Sequence, residues 1–263
     1  MEKLRIIHNM ARSGSTIMCK CLGCMDGVVL LSEIHPNAEF FYNLLVQAKE
    51  WYGLLTQLEL DDLQKPDTIH FIKAIKLIEQ RCRARGYTLV LRDWAHLDYT
   101  GHPYTTPSYK PLLYTELAES FDIIHISTTR DPAAQWQSLT QLEVMQAPLQ
   151  SGVFDLDQFL IGYRKYAELC VETGFIRYED FLRKPEIPIR RLCDHLQIKF
   201  DPSFKKKLAN YKTITGDVNN IRGSNKIKKP PRQPIEPALH KKILANTDYH
   251  RACKLLGYDV LRK

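Results

Sequence analysis

The sequence predicts a three-layer α/β/α sandwich built on a mostly parallel, roughly five-stranded central sheet. Short apolar runs recur along the chain at Leu4–Ile7, Val28–Leu31, Tyr87–Leu91, Ile123–Thr128 and Gly174–Arg177, each of buried-strand length and bounded by turn residues. Between them lie segments whose apolar residues repeat at helical spacing. Such alternation pairs strands in parallel through right-handed crossovers. The 263 residues are enough for one large domain with a full core, and no repeat divides them, so residues 1–263 read as a single domain.

The first strand leads straight into Asn9-Met10-Ala11-Arg12-Ser13-Gly14-Ser15-Thr16, a turn with a cation, a glycine and hydroxyls. A helix follows, with Ile17, Met18, Cys21 and Leu22 on one face. Strand, small-residue loop and helix N-terminus together suit an anion. The first helical N–H groups lack internal partners, Gly14 permits close backbone approach, and Arg12, Ser15 and Thr16 add charge and hydroxyl donors. Read as structure alone, the serines cap the helix. The loop lacks the leading glycine and the lysine of a Walker A sequence, which disfavours ATP hydrolysis.

The second strand ends in Ser32-Glu33-Ile34-His35-Pro36. Ligands of open α/β sheets gather at carboxyl strand ends, which places Glu33 and His35 where chemistry occurs. Residues 37–86 read as helices broken at Gly53 and Pro66, with core positions at Phe40, Phe41, Leu44 and Leu45 and again from Ile69 to Cys82. Arg81, Arg83 and Arg85 suit a helix C-terminus. The third strand runs into Arg92-Asp93-Trp94-Ala95-His96; Arg92 either pairs with Asp93 or reaches toward the crevice. Tyr99–Tyr109 reads as a loop.

The fourth strand ends in Arg130-Asp131-Pro132, a helix start, with Ser138 eight residues after the arginine. An amphipathic helix over 155–172 precedes the fifth strand. Tyr178-Glu179-Asp180-Phe181-Leu182 and a helix to Leu196 follow. Lys212–Pro237 shows no period and reads as a functional lid or a solvated basic loop, and helices near 236–246 and 248–256 finish the chain.

Composition narrows the partners. A net charge of +7 favours anionic ligands and fits nucleotide phosphates as well as nucleic acid. Seven cysteines, an odd and unpatterned set, argue against a secreted disulfide framework. Cys19, Cys21 and Cys24 have metal-like spacing, but two of them sit in the amphipathic first helix and no further ligand lies nearby, so no metal is expected. The chain begins on its first strand and has no run of membrane-spanning length; the expected compartment is the cytoplasm.

Arg12-Ser13-Gly14-Ser15-Thr16 after the first strand resembles the 5′-phosphosulfate loop of sulfotransferases that use 3′-phosphoadenosine 5′-phosphosulfate (PAPS), with Ala11 where many members have proline. Arg130-x-Pro132 with Ser138 resembles the family's 3′-phosphate-binding element, and Tyr178-Glu179-Asp180-Phe181 resembles its Tyr-Glu-Asp-Leu segment, whose tyrosine packs near the adenine. Ser32-Glu33-Ile34-His35-Pro36 resembles the segment that carries the proposed base of bacterial and tyrosylprotein members. The resemblance implies a P-loop-like fold, PAPS as sulfonate donor without a metal, and a hydroxyl or amine acceptor on a small molecule or carbohydrate, with no nucleic acid or membrane partner. It gives Glu33 as base with His96 as the other candidate, Arg12 as stabiliser of the leaving phosphate, and Arg12, Ser13, Gly14, Ser15, Thr16, Arg130, Ser138, Tyr178, Arg222 and Gly223 as donor contacts. A P-loop kinase or ATPase and a non-catalytic nucleotide- or polyanion-binding module are the other readings. Acceptor identity and oligomeric state are not visible in the sequence.

Overall fold

A computed structural model describes residues 1–38, 42–65, 69–216, 227 and 234–261. Phe40 and Phe41 of the expected core, and Arg222 and Gly223 of the expected nucleotide-covering loop, lie outside these residues. The strands are β1 (Lys3–Asn9), β2 (Val28–Ile34), β3 (Thr88–Asp93), β4 (Asp122–Thr129) and β5 (Phe175–Arg177). They form one sheet in the order β2-β3-β1-β4-β5, and all four pairings are parallel. This is the expected P-loop-like α/β sandwich. With β1 central, the loop that follows it opens between the ends of β3 and β4, at the crevice where an open sheet binds ligands.

The helices, in chain order, are α1 (Ser15–Gly23), α2 (Leu44–Tyr52), α3 (Gln57–Leu63), α4 (Phe71–Ala84), α5 (His96–Tyr99), α6 (Leu112–Leu117), α7 (Pro132–Leu139), α8 (Gln146–Ser151), α9 (Leu156–Thr173), α10 (Tyr178–Arg183), α11 (Glu186–His195), α12 (Phe204–Lys207), α13 (Pro237–Ala245) and α14 (Thr247–Leu256). Strand alternation splits the core into two faces. Leu4, Ile6, Val29, Leu31, Leu89 and Leu91 pack on α2, α4 and α6, while Ile7, Val28, Leu30, Val90 and Ile126 pack on α1 and α11. A third cluster joins α7, α9 and α14 around Trp136, Phe159, Tyr163 and Tyr249. Gly53 caps α2 with φ 57°, the break expected there. The short helices α5 and α6 flank the stretch Tyr99–Tyr109 read from sequence as a loop; at four and six residues they are too short to leave a period.

Helix α1 is buried at every position except Ile17, because α11 and α12 cover the side turned away from the sheet. Its cysteines are free, and burial raises the Cys19 thiol to about 11. Among the described residues, no group of His, Cys, Asp and Glu could hold a metal ion. No described helix is long and apolar enough to cross a membrane.

Candidate active site

The loop after β1 makes its turn with two left-handed residues, Arg12 (φ 66°) and Gly14 (φ 82°). Gly14 is the N-cap of α1 and has no side chain to cap the helix, so no N-cap side chain occupies the first amides of α1. A Cβ on Gly14 would lie 2.3 Å from Cδ2 of Tyr178, so the Tyr178 ring sits directly on the loop backbone. Only glycine satisfies both the left-handed φ and that contact. Ser13 is fully buried and turns inward, its hydroxyl 3.4 Å from that of Thr128 on β4. Gln135 of α7 braces the loop by donating to the Ala11 carbonyl at 2.8 Å.

The cations expected to meet a nucleotide converge here. Arg12 Nε donates to Ser138 Oγ at 2.9 Å, and Arg130 Nη1 donates to the Arg12 carbonyl at 3.1 Å. The Arg130 guanidinium also lies 5.5 Å from the centre of the Tyr178 ring. Among the described residues, neither arginine has a carboxylate within ion-pair distance. Two fixed cations at one loop without a carboxylate partner among the described residues favour an anionic ligand. The Arg130 turn is held from behind: Tyr163 donates to the Arg130 carbonyl, Asp131 caps α7 at Ala134 N (2.8 Å), and Asp131 N donates to Glu179 at 3.0 Å. Glu179 also accepts from Tyr258 at 3.0 Å; burial raises its pKa. The role of Glu179 is therefore to fix the Arg130 turn.

A second cluster stands across α1. Glu33 lies at a β-bulge, where the β2–β3 register shifts between Ser32 and Ile34, and its backbone is left-handed (φ 57°). Such a conformation at a non-glycine costs on the order of 1–3 kcal/mol and turns the side chain off the strand's normal alternation. Glu33 Oε2 is buried without a hydrogen-bond partner, and Oε1 is 3.6 Å from Arg92 Nη2.

Arg92 is the hub of this cluster. It is 3% exposed and donates to Asn9 Oδ1 (3.2 Å), Ser32 Oγ (2.9 Å), the Thr215 carbonyl (3.3 Å), Ser15 Oγ (3.2 Å) and Thr16 Oγ1 (3.2 Å). It thus ties the donor-side hydroxyls, the Glu33 carboxylate and the segment at 215 into one network. Arg92 does not pair with Asp93, whose Oδ2 lies 2.6 Å from His8 Nδ1. From sequence the arginine is one of many; its signal is its place at the last turn of a central strand, and its partners come from four separate segments.

Thr215 donates through its backbone to Ser32 Oγ at 3.2 Å, and its hydroxyl lies 2.7 Å from that oxygen. Gly216 (φ 76°) packs against Glu33, where a Cβ would come within 3.2 Å of Oε1. Upstream, Tyr211 meets Tyr52 hydroxyl to hydroxyl at 2.8 Å and fills the space over Gly23.

Arg12, Gly14, Arg130, Ser138 and Tyr178 therefore meet in one group, and Ser15, Thr16 and Glu33 meet in another through Arg92. His96 joins neither. It is buried on α5, its Nε2 is 2.8 Å from the His102 carbonyl, and its Nδ1 has no partner. Burial holds its pKa down at about 4, so the ring is neutral at pH 7. His35 is also engaged at both nitrogens, by Asp98 at 3.1 Å and by the Asn37 amide at 3.1 Å.

Comparison with known proteins agrees with the fold. The fold is shared with the sulfotransferase domain of the curacin biosynthetic pathway (17% identity over 99% of both chains, TM-score 0.68). It is also shared with the sulfotransferase domain of the Synechococcus PCC 7002 olefin synthase (20% identity over 99% of this chain and 96% of that one, TM-score 0.65). A sulfotransferase from Alicyclobacillus acidocaldarius matches more distantly, at 14% identity over 98% of this chain and 97% of that one, with a TM-score of 0.51. No curated protein matches. The family comparison matches residues 6–202, which include the loop after β1, Glu33, Arg92, Arg130, Ser138 and Tyr178, and on that match the chain belongs to the sulfotransferase family.

Proposed function

We propose that residues 1–263 act as one PAPS-dependent sulfotransferase domain that moves a sulfonate group to an acceptor hydroxyl or amine and releases adenosine 3′,5′-bisphosphate. The observation that carries this reading is the convergence of Arg12, Ser138 and Arg130 beneath the Tyr178 ring, one helix N-terminus away from a buried carboxylate. The fit to such a donor rests on three features: uncapped α1 amides, two arginines without a carboxylate partner, and a ring face over Gly14 that suits an adenine.

When bound, PAPS supplies the sulfonate and a phosphate leaving group. Arg130 and Ser138 would hold the 3′-phosphate; Arg12 and the α1 amides would offset charge growing on the departing 5′-phosphate oxygen as the sulfur–oxygen bond breaks. Glu33 would accept the acceptor's proton while the new sulfur–oxygen bond forms. His96 is less suited to that step, being committed to the His102 carbonyl. Arg92 would keep Glu33 and the Ser15 and Thr16 hydroxyls in register, which matters because an ångström of misplacement is costly in an in-line transfer. The free cysteines fit a reducing compartment such as the cytoplasm.

A thermal-shift comparison tests the reading. Adenosine 3′,5′-bisphosphate should raise the midpoint in a saturable manner that persists at moderate salt, and magnesium-ATP should not. The reverse order of response would favour a kinase or ATPase. A shift with either ligand that fades with salt would favour a polyanion-binding module.

A further inference from the structure

Residues 211–216 run as a strap along the seam between α1 and β2. At the far end Tyr211 stands over Gly23, the last residue of α1, so closely that an added Cβ there has no room. Its hydroxyl meets that of Tyr52 at 2.8 Å. Tyr52 in turn accepts from Leu30 N (3.0 Å) and donates to the Leu30 carbonyl (2.9 Å) on β2. Ile214 packs against the apolar cluster shared by α1 and the sheet. At the near end Thr215 is held three ways. Its N–H donates to Ser32 Oγ (3.2 Å), its hydroxyl lies 2.7 Å from the same oxygen, and its carbonyl accepts from Arg92 Nη1 (3.3 Å).

The strap ends where the two proposed halves of the site face each other. A Cβ on Gly216 would come 3.2 Å from Glu33 Oε1 and 3.5 Å from Thr16 Oγ1, so Gly216 stands between the carboxylate and the start of α1. Its φ of 76° is left-handed, and it brings no side chain into that space. The polar groups of Thr215 are spent inward, on β2 and Arg92. Thr16 and Glu33 are each 9% exposed and Ser32 is fully buried, so little of this junction is open to solvent. A carboxylate placed to take a proton from an acceptor also takes one from water, and a donor that reacts with water is lost. Such a base distinguishes the two only if water is kept from the attacking position.

We infer that the strap is the device that does so: Thr215 and Gly216 close the seam beside Glu33 and make the site select its acceptor over water. The inference rests on the sulfonate-transfer reading above. Thr215 is a positioning residue here, since it holds Ser32 and Arg92 rather than a reacting atom. The reaction that the strap suppresses is hydrolysis of PAPS. In it a water oxygen forms a bond to sulfur, one water proton passes to Glu33 and the other stays on the hydrogen sulfate formed. The bonding pair of the broken sulfur–oxygen bond leaves on the 5′-phosphate of adenosine 3′,5′-bisphosphate.

The test gives the whole chain PAPS without an acceptor and follows the release of inorganic sulfate. Thr215→Val keeps the shape of the side chain and removes its hydroxyl contact to Ser32. Tyr211→Ala removes the remote anchor, at the opposite end of α1 from the site. Each should raise hydrolysis about five- to twentyfold over wild type and leave the affinity for adenosine 3′,5′-bisphosphate within about twofold by calorimetry. Loss of packing alone would lower stability but would not speed a reaction. Adding Glu33→Gln to either variant should abolish the gain, because the water then lacks its base. A folded, nucleotide-binding Thr215→Val or Tyr211→Ala that hydrolyses PAPS at the wild-type rate overturns the inference and leaves the donor assignment standing; should one variant not fold, the other decides. A gain that survives Glu33→Gln also overturns it, since the water then attacks away from the carboxylate. If the wild-type chain does not bind adenosine 3′,5′-bisphosphate, the sulfonate-transfer reading is removed and the inference falls with it.

Discussion

The two sides of the crevice are built on different principles. On the side of Arg12, Arg130 and Tyr178, the proposed donor site is made of backbone amides, fixed charges and a ring stacked on a glycine, all anchored to strand ends and helix starts. On the side of Glu33, the proposed acceptor side has a single carboxylate on a strained bulge, with Trp94 close by and the Tyr42 and Tyr104 rings against it. A nucleotide bisphosphate presents the same charges to every member of such a family, so a rigid, charge-matched cradle suits it. Acceptors differ, and loops change with little effect on the sheet.

The contrast can be broken most sharply at Glu33. Glu33→Gln keeps the shape of the side chain and removes its ability to take a proton. Turnover should fall by roughly two to four orders of magnitude, with the affinity for adenosine 3′,5′-bisphosphate near that of wild type. A parallel loss of nucleotide affinity would mean that the two sides are not separable.

Arg130→Ala probes the opposite side. Loss of a charge-assisted contact there should cost about 2–3 kcal/mol, or roughly thirty- to a hundredfold in the dissociation constant by calorimetry, in a protein that still folds. An unchanged affinity would take Arg130 out of the donor site.

Gly14→Ala asks whether the cradle is rigid. The added methyl would lie 2.3 Å from the Tyr178 ring at a left-handed φ, so the loop or the ring must move. The expected loss is about 1–3 kcal/mol of stability in chemical denaturation. Adding Tyr178→Ala should restore the steric part and leave the φ strain. If the double variant is no better than the single one, the ring contact is not what fixes the loop.

The smallest effect expected on turnover concerns His96, which stands outside both groups. Its folded pKa of about 4 lies below the ordinary value of 6.5, so between those values the unfolded chain binds the extra proton. Stability should therefore decline as pH falls from about 6.5 toward 4, by on the order of 3 kcal/mol for a fully buried ring. His96→Asn removes the titrating ring and should flatten this slope in pH-dependent thermal melts, with less effect on turnover than Glu33→Gln. If His96→Asn abolishes turnover and Glu33→Gln does not, the base assignment is reversed.

The same contrast explains how much could be read from the sequence. The five parallel strands and the loop after β1 show themselves in contiguous residues, because strand periodicity and anion-binding turns are local features. Arg130 and Ser138 share a strand end and its helix, so their association is also local. Arg92 gives no such signal: its partners are drawn from residues 9, 15–16, 32 and 215, and only the assembled sheet brings these together. The ring cluster of Tyr42, Trp94 and Tyr104 is hidden for the same reason. The short α5 lies in the polar, Pro- and Gly-containing stretch between β3 and β4, and its four residues cannot display a helical period.

Arg92 also determines which way hydrogens point. A hydroxyl oxygen that accepts from a guanidinium turns its own hydrogen away from it, and Ser15 and Thr16 both accept from Nη2. Their protons are thereby directed outward from the buried arginine before any ligand arrives. Serine and threonine ordinarily present either polarity, but here a cation behind the helix start biases both toward donation. In the proposed donor site, the preference of these hydroxyls for an anion would thus be set by a residue one layer behind the surface, and Arg92→Met, with similar bulk and no donors, would return them to free rotation.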